Sequence, residues 1–563
     1  MKFKDFEYQR INFETIEETF KPLLKELEEA KDSVTFNKAF NKINEFRNHI
    51  TTQTVLCSIR HDINTNDEFY TKENDYWDEI LPKVQLFDNL FYKICLAYPR
   101  RDELNIPDTF FKIAEFSLKS FDEKIIEELQ LENKLTSEYT KLKAGALIEL
   151  DGKTYNLSSL GPKLSDTDRD VRKRAYKAVN DYFEKHEADY DRVYDELVKV
   201  RDRMAKKLGY ANYVEMGYMR MQRIGYDKNM VAKLRKQVLE DIVPIVSDIY
   251  EAQRIRLGLD KLMEYDRSLT FLSGNPTPKG SKDELVAKAL NMYKEMSPET
   301  GAFFEMMVNH DLFDLESKDG KNTGGYCTDI PDHKVPFIYA NFNGTAGDVD
   351  VLTHEAGHAF QAYMTARSNT IPECAFPTME TAEIHSMSME FFAYPWIEDF
   401  FKEDSIKYRY KHISGTLKFL PYGVLVDHFQ HEVYENPEMS IADRKATWKK
   451  LEAMYEPFIN YEDDDFAAKG TFWYRQGHIF QSPFYYIDYC IAQLCALQFF
   501  NRSLIKDEGT WEDYLTICRN GGTKNFLENV ADAHLDSPFE EGSIAKIIGN
   551  IVSELNKYDV SKY

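Results

Sequence analysis

The stretch GTAGDVDVLTHEAGHAFQAYMTAR, residues 344–367, carries the strongest pattern in this chain. Its apolar side chains recur three and four residues apart, which is the period of an amphipathic helix. These side chains are Val349, Leu352, Ala356, Ala359, Phe360 and Tyr363. Thr345 and Asp348 precede the stripe at the spacing of a helix-capping pair. We therefore predict that the HExxH motif at residues 354–358 lies on a helix.

On such a helix, His354 and His358 lie one turn apart on the same face, where both imidazoles can bind one zinc ion. Glu355 projects beside them and is the expected general base for a water polarised by the metal. With 13 histidines and 95 acidic residues, the motif is expected by chance only about 0.05 times, even if every acidic residue counts as Glu. The motif therefore predicts a hydrolytic metal centre.

A catalytic zinc needs a third protein ligand and one open position. A metzincin would place a histidine at residue 364, where this chain has Met364. The alternative is a carboxylate on the next helical segment, TMETAEIHSMSMEFFAYPWIEDF, residues 378–400. Its candidates on one side are Glu380, Glu383 and Glu390, and His385 is a weaker candidate because it points away from them. Spacing alone leaves this choice open.

The composition is that of a folded, acidic protein. The 563 residues are 43% hydrophobic and 29% charged, as in ordinary globular proteins. A formal net charge of −24 disfavours nucleic acid and anionic membranes as partners. The seven cysteines show no CxxC spacing, so reduced thiols are expected instead of a disulfide framework or a cysteine-rich structural zinc site.

Residues 1–20 lack the apolar run of a signal peptide, and no uninterrupted apolar stretch of about eighteen residues occurs elsewhere. We therefore predict a cytoplasmic location. Helical periodicity dominates the chain, for example in residues 15–32 and 165–208, where Ser165 and Asp168 resemble a helix start. Strand signals are confined to a hairpin at 145–157, around Asp151-Gly152, and a run at 335–342 closed by Asn343-Gly344.

The stretch 344–367, followed by E-x-x-S-x-x-x-E at residues 383–390, resembles the thimet oligopeptidase and oligoendopeptidase F family of zinc peptidases. The resemblance implies that Glu383, twenty-five residues after His358, is the third ligand of a single zinc ion. It also implies that Glu390 is a partner that orients one of the zinc ligands.

A second match is GHIFQSPFYYIDYC, residues 477–490. The family carries a histidine followed by two tyrosines that contact the substrate and stabilise the oxyanion. The resemblance assigns these roles to His478, Tyr486 and Tyr489, and leaves Tyr485 as an alternative to Tyr486 that also contacts substrate.

A third match is FIYANFNGT, residues 337–345, which resembles the edge strand that pairs with the substrate backbone in this family. The substrate-binding residues implied are Tyr339, Ala340, Asn341, Phe342 and Gly344.

The resemblance implies a mainly α fold, with two helix-rich lobes around a deep substrate channel and a small β element next to the zinc-binding helix. We place an N-terminal helical region at residues 1–150 and the catalytic region at 151–563. The predicted function is zinc-dependent hydrolysis of internal bonds in short peptides. The alternatives are a carboxypeptidase or dipeptidyl peptidase with the same zinc site, and a catalytically silent peptide-binding protein, against which the presence of Glu355 argues.

Overall fold

The structure is a computed structural model that describes residues 1–318, 320–366, 371–461 and 464–563. About 70% of it is helical and its sheets are small, which confirms the predicted mainly α fold. No described helix combines the length and the apolar character that a membrane span requires. The predicted cytoplasmic location and the division at residue 150 stay predictions.

Helices of the N-terminal part pack around a core of their own. This core is formed by residues between Ile11 and Ala114, together with Cys374. The helices are α1 (Phe13–Glu28), α2 (Ser33–Ile63), α3 (Glu68–Ala97) and α4 (Asp108–Ser120). The next helix, α5 (Ile126–Ala144), packs Leu135 and Tyr139 into the second core instead.

Helices of the remaining chain surround a second, larger core. Before the motif they are α6 (Gly161–Leu164), α7 (Arg169–Lys185), α8 (Glu187–Leu208), α9 (Tyr213–Arg220), α10 (Lys228–Gln237), α11 (Val243–Arg256), α12 (Lys282–Met296) and α13 (Pro298–Asn309), with a π-helical turn at Val238–Ile242. From the motif onward they are α14 (Gly347–Thr365), α15 (Pro372–Ala375), α16 (Met379–Phe392), α17 (Ile397–Phe401), α18 (Ser405–Glu435), α19 (Ile441–Tyr455), α20 (Asp465–Ala468), α21 (Gly477–Gln481), α22 (Tyr486–Leu504), α23 (Thr510–Asn520), α24 (Phe526–Asp532) and α25 (Ser543–Leu555).

The predicted helix around the HExxH motif is α14, and its apolar stripe is buried throughout in the larger core. Residue 367, the last of the quoted stretch, lies outside the described residues. The predicted capping pair is wrong. The carboxylate of Asp348 accepts instead from the backbone N–H groups of Asn343 and Gly344, at 2.9 and 2.8 Å, and so closes the turn before α14.

The two sample helical segments are also present. Residues 15–32 correspond to α1, and residues 165–208 contain α7 and α8, which meet at His186. The cap of α7 is Asp168 alone, whose carboxylate accepts from the N–H groups of Asp170 and Val171. Ser165 ends the short helix α6 instead of starting α7.

The predicted hairpin is a two-stranded antiparallel sheet of β1 (Ile148–Leu150) and β2 (Lys153–Tyr155). Asp151 and Gly152 connect the strands with φ values of 52° and 76°. Positive φ at both central residues is the conformation that suits a two-residue hairpin turn.

The second sheet contains β3 (Phe313–Glu316), β4 (Tyr326–Ile330) and β5 (Val335–Phe342). The predicted strand at 335–342 is β5. Its predicted edge position is wrong, because the strand order is β3-β5-β4, with β5 parallel to β3 and antiparallel to β4. The outer strands are β3 and β4, and the side of β4 away from β5 has no strand partner among the described residues.

Gly357, inside the HExxH motif, lets the backbone of α16 approach α14 closely. A Cβ at this position would lie 2.5 Å from the carbonyl oxygen of His385 and 2.6 Å from the Cα of Ser386. Both are backbone atoms, which cannot rotate away from a new methyl group as a side chain can. The absence of a side chain at residue 357 therefore sets the distance between the two helices.

We predict that Gly357→Ala lowers the free energy of unfolding by about 1–3 kcal/mol, because the new methyl group overpacks the contact between α14 and α16. Urea denaturation of the metal-free protein measures this change. Gly549→Ala is the matched control, since a Cβ at that helical glycine meets nothing within 4 Å. An unchanged midpoint for Gly357→Ala would show that the helices separate at no cost.

Candidate metal centre and active site

Two imidazoles of α14 and one carboxylate of α16 converge on one point. The Nε2 atoms of His354 and His358 lie 3.3 and 3.5 Å from the same oxygen, Oε2 of Glu383. A tetrahedral zinc ion with bonds of about 2.1 Å would separate its ligands by about 3.4 Å. These side chains thus fit a zinc ion, and they are the one group of His, Cys, Asp or Glu with suitable spacing in the described part of the chain.

Of the candidates for the third ligand, the structure brings Glu383 to the Nε2 atoms of both histidines. Glu390 contacts Nδ1 of His354 instead, and Glu380 and His385 lie elsewhere. Glu380 is fully buried, and Arg223 lies close enough to lower its pKa, which burial raises. The His385 ring is also fully buried and lies against Tyr514, with ring centroids 6.0 Å apart.

Two hydroxyl groups hold the carboxylate of Glu383 in place. Tyr485 donates to Oε1 at 2.6 Å, and Ser386 donates to Oε2 at 3.0 Å. Burial raises the pKa of Glu383, but the two imidazoles lower it more, so that it lies well below its usual value. Glu383 is therefore an anion, as a metal ligand must be.

Glu390 links His354 to another histidine, His412 on α18. The Nδ1–H of His354 donates to Oε1 of Glu390, and the Nε2–H of His412 donates to Oε2, both at 2.7 Å. Tyr394 lies 2.7 Å from the other ring nitrogen of His412. These contacts orient the His354 ring and direct Nε2 toward Glu383.

The charges around His354 favour a bound cation. Burial raises the pKa of Glu390, but hydrogen bonds from His354 and His412 lower it to about 2. Burial likewise lowers the pKa of His354, while Glu383 and Glu390 raise it well above its usual value. The two carboxylates thus stabilise positive charge at this point, whether a proton or a metal ion.

Glu355 lies beside the metal ligands and faces the start of β4. Its side chain is buried, and Oε2 has no hydrogen-bond partner among the described residues. Burial raises its pKa above the usual value, although the two histidines lower it. A Cβ at Gly325 would lie 3.8 Å from Oε1 of Glu355. A carboxylate with a raised pKa next to an open backbone suits proton transfer to and from a bound peptide.

His478 is held as a neutral hydrogen-bond donor. The amide nitrogen of Gln476 donates to His478 Nδ1 at 2.6 Å, and the amide oxygen of Gln476 accepts from Tyr422 at 3.1 Å. The proton of the ring is therefore on Nε2, which lies 3.4 Å from the hydroxyl of Tyr489. Burial lowers the pKa of His478 to about 4, so the ring is neutral near pH 7.

The contacts distinguish the two neighbouring tyrosines. Tyr485 bonds to the ligand Glu383, whereas the Tyr486 ring packs against Phe419 and Tyr422, with centroids 5.6 and 5.8 Å away. Burial raises the pKa of both phenols and of Tyr489. All three hydroxyl groups therefore remain protonated and can donate.

Comparison with known proteins identifies the family of this chain. A family model described as Peptidase family M3 matches residues 163–547, and one described as Peptidase M3 N-terminal domain matches residues 3–121. The chain belongs to Peptidase family M3. This confirms the predicted family.

Solved and curated relatives agree with this assignment. PZ peptidase A, solved with an inhibitor, is 48% identical with a TM-score of 0.97, and the match covers 100% of both chains. An oligoendopeptidase F homolog of Lactococcus lactis subsp. lactis is 24% identical over 518 residues, 87% of this chain and 79% of that protein. One from Borreliella burgdorferi is 21% identical over 389 residues, 68% of this chain and 63% of that protein. The chain is a peptidase.

The tyrosine cluster of this M3 peptidase starts at a strained residue. Phe484 has a φ of 69°, which for a bulky side chain costs of the order of 1–3 kcal/mol. Its N–H donates to the side chain of Gln430 at 2.8 Å, and its carbonyl accepts from Arg223. Arg223 also donates to the buried carboxylate of Asp488. These contacts, which lack any local sequence signal, fix the turn that aims Tyr485 at Glu383.

The predicted substrate-binding residues of β5 hold the loop that leads into β4. Tyr339 donates to the carbonyl of Asn322 at 2.6 Å, and the side chain of Asn341 donates to those of Asn322 and Gly324 at 2.9 and 2.8 Å. The carbonyl of Ala340 accepts from Lys321. Substrate contacts by Tyr339, Ala340, Asn341, Phe342 and Gly344 stay a prediction.

Sequence reasoning missed residues that complete the site. His412 sits on a helix without any motif. Gly324 and Gly325 could have been recognised, because a glycine pair before an apolar strand marks a place where another backbone can approach.

We predict that Glu390→Gln weakens zinc binding about 10- to 100-fold, because His354 loses its anionic partner. Competition with a zinc chelator measures the dissociation constant. Glu403→Gln is the matched control, since the Glu403 side chain is 75% exposed. Equal zinc affinity in both variants would contradict the orienting role of Glu390.

We predict that Arg223→Met lowers the free energy of unfolding by about 3–5 kcal/mol, because Asp488 then lacks its buried partner. A second substitution, Asp488→Asn, restores part of this loss by removing the unpaired charge. Urea denaturation of the wild type, both single variants and the double variant forms a double-mutant cycle. Additive changes would show that the two residues do not interact.

Proposed function

We propose that this M3 peptidase is a zinc-dependent oligopeptidase that hydrolyses internal bonds of short peptides. The observation that carries the proposal is the convergence of His354, His358 and Glu383 on one point beside the buried carboxylate of Glu355. Glu355 is the residue that a purely peptide-binding protein would not require.

The metal would be held by His354, His358 and Glu383. When bound, a zinc ion supplies Lewis acidity, which lowers the pKa of water and polarises the scissile carbonyl. Glu355 takes the proton from the attacking water and delivers it to the leaving amine. Its raised pKa brings it closer to the value that suits both transfers.

The imidazole and phenol groups act on the carbonyl oxygen. Negative charge develops there during attack, and donors already in position stabilise it without reorganisation. We assign this role to the Nε2–H of His478 and the hydroxyl of Tyr489, with Tyr485 beside them on Glu383. Tyr486 forms a wall of the adjoining cavity.

Recognition of the peptide backbone is assigned to β4. One side of this strand pairs with β5, and the other side has no strand partner among the described residues. Gly325, directly before β4, lies next to Glu355. An extended peptide that adds to this edge makes main-chain hydrogen bonds, which depend on conformation more than on side chains.

Short peptides are the expected substrates because the metal ligands are deeply set. The side chains of His354, His358 and Glu383 are 21%, 15% and 3% exposed. An extended segment can reach such a site, whereas the surface of a folded protein cannot bring a peptide bond to these ligands.

We predict that the wild type with zinc cuts an internally quenched peptide at an internal bond, and that a chelator abolishes this activity. Glu355→Gln lowers kcat by about 10² to 10⁴, the usual contribution of a general base, while zinc stays bound. Product masses and zinc content are the measurements.

Glu398→Gln, an exposed carboxylate, is the control and should retain full activity. Removal of terminal residues instead of internal cleavage would assign the enzyme to the exopeptidases. Chelator-resistant activity would refute the dependence on zinc.

A further inference from the structure

Two cavities flank the metal ligands along α14. One, of about 370 Å³, reaches Asp350 and Glu390, on the side of the helix N-terminus. The other, of about 480 Å³, reaches Ala362 and Thr365, on the side of the helix C-terminus. We refer to them as the first and second cavity. A peptide bound across the metal centre would extend into both.

Lys411 lines the first cavity without a partner. Among the residues that the structure describes, none forms a hydrogen bond or ion pair with its ammonium group. The two carboxylates that line the same cavity are already bonded, Asp350 to Tyr408 at 2.6 Å and Glu390 to two histidines. An anionic group bound in this cavity could therefore pair with Lys411 without displacing an existing partner.

The charge of Lys411 acts on a second lysine of α18, Lys418. Lys418 lies two helical turns further along α18 and donates to Gln253. Burial lowers the pKa of Lys418 well below its usual value, and Arg256, Arg267 and Lys411 lower it further. The ammonium group of Lys411 is therefore the positive charge that the first cavity offers to an anionic group, opposite the carboxylates of Asp350 and Glu390.

The second cavity is more acidic than the first. Its ionisable lining consists of Glu45, Asp329, Asp332 and Lys334, so acidic groups are in excess. A peptide amino terminus or a basic side chain suits this end of the cleft.

The direction of β4 predicts the same orientation of a bound peptide. The strand begins at Tyr326, directly after Gly325, and a Cβ at Gly325 would lie 3.8 Å from Oε1 of Glu355. It ends at Ile330, which lines the second cavity. A peptide that pairs with it in the antiparallel sense runs from the second cavity toward Glu355. Its carboxyl-terminal half then enters the first cavity.

We propose that Lys411 binds a substrate carboxylate on the carboxyl-terminal side of the scissile bond. The enzyme would therefore prefer short peptides that place there either a free C-terminus or an acidic side chain. This inference rests on the proposed peptidase function and names the substrate class of that site.

Three matched peptides test the proposal: a free acid, its C-terminal amide, and the amide with a glutamate on the carboxyl-terminal side of the cut. The wild type should cleave the free acid with a kcat/KM about tenfold above that of the plain amide, mainly through KM, since the carboxylate makes one charge-assisted hydrogen bond. Lys411→Met should lose this preference, and Lys411→Arg should keep it. If the amide with the glutamate is cleaved with a kcat/KM similar to that of the free acid, a side-chain carboxylate is sufficient for the preference.

Lys450→Met, at an exposed lysine of α19, is the control and should behave as the wild type. Equal kcat/KM for all three peptides in the wild type, or an unchanged preference in Lys411→Met, would overturn the proposal and leave the peptidase function intact. If the wild type cleaves no peptide, the proposed function fails. Fluorescence anisotropy with zinc-loaded Glu355→Gln then still tests whether the free acid binds more tightly than the amide.

Discussion

The contact between α14 and α16 at Gly357 is the constraint on which the site depends. Two metal ligands come from α14 and the third from α16, so the distance between these helices sets the size of the metal site. Backbone atoms of α16 lie 2.5 and 2.6 Å from the point that a Cβ of residue 357 would occupy, so the helices could not approach as closely around any side chain. The glycine thus has a function although it cannot bind metal or substrate.

Around this contact, buried charges hold each other in position. His354, Glu390 and His412 form one chain of hydrogen bonds, and Arg223 joins Asp488 to the strained turn at Phe484. Buried ions are stable only when their partners are well placed, so each group restricts its neighbour. Tyr485, directly before α22, joins the two groups by its hydrogen bond to Glu383, so that donors stand ready beside the metal ligands, as electrostatic stabilisation of a transition state requires.

The small sheet gives the cleft its direction. Because β5 is paired on both sides, the outer strands are β3 and β4, and of these it is β4 that starts next to Glu355 and leads into the acidic cavity. Lys411 lies in the cavity at the other end of the motif helix. Backbone pairing and electrostatics therefore favour the same orientation of a bound peptide, although they arise from separate parts of the fold.

The sequence by itself determined what depends on near neighbours along the chain. The helix of residues 347–365, the strand 335–342 and the turn at Asp151-Gly152 follow from periodicity and local backbone preference. Tertiary structure decided what depends on distant contacts. Residue spacing left the third ligand open until the family resemblance selected Glu383, since only packing shows which carboxylate reaches the histidines. The edge position of β4, the contact of Tyr485 with Glu383 and the place of His412 required pairings between elements that no local pattern encodes.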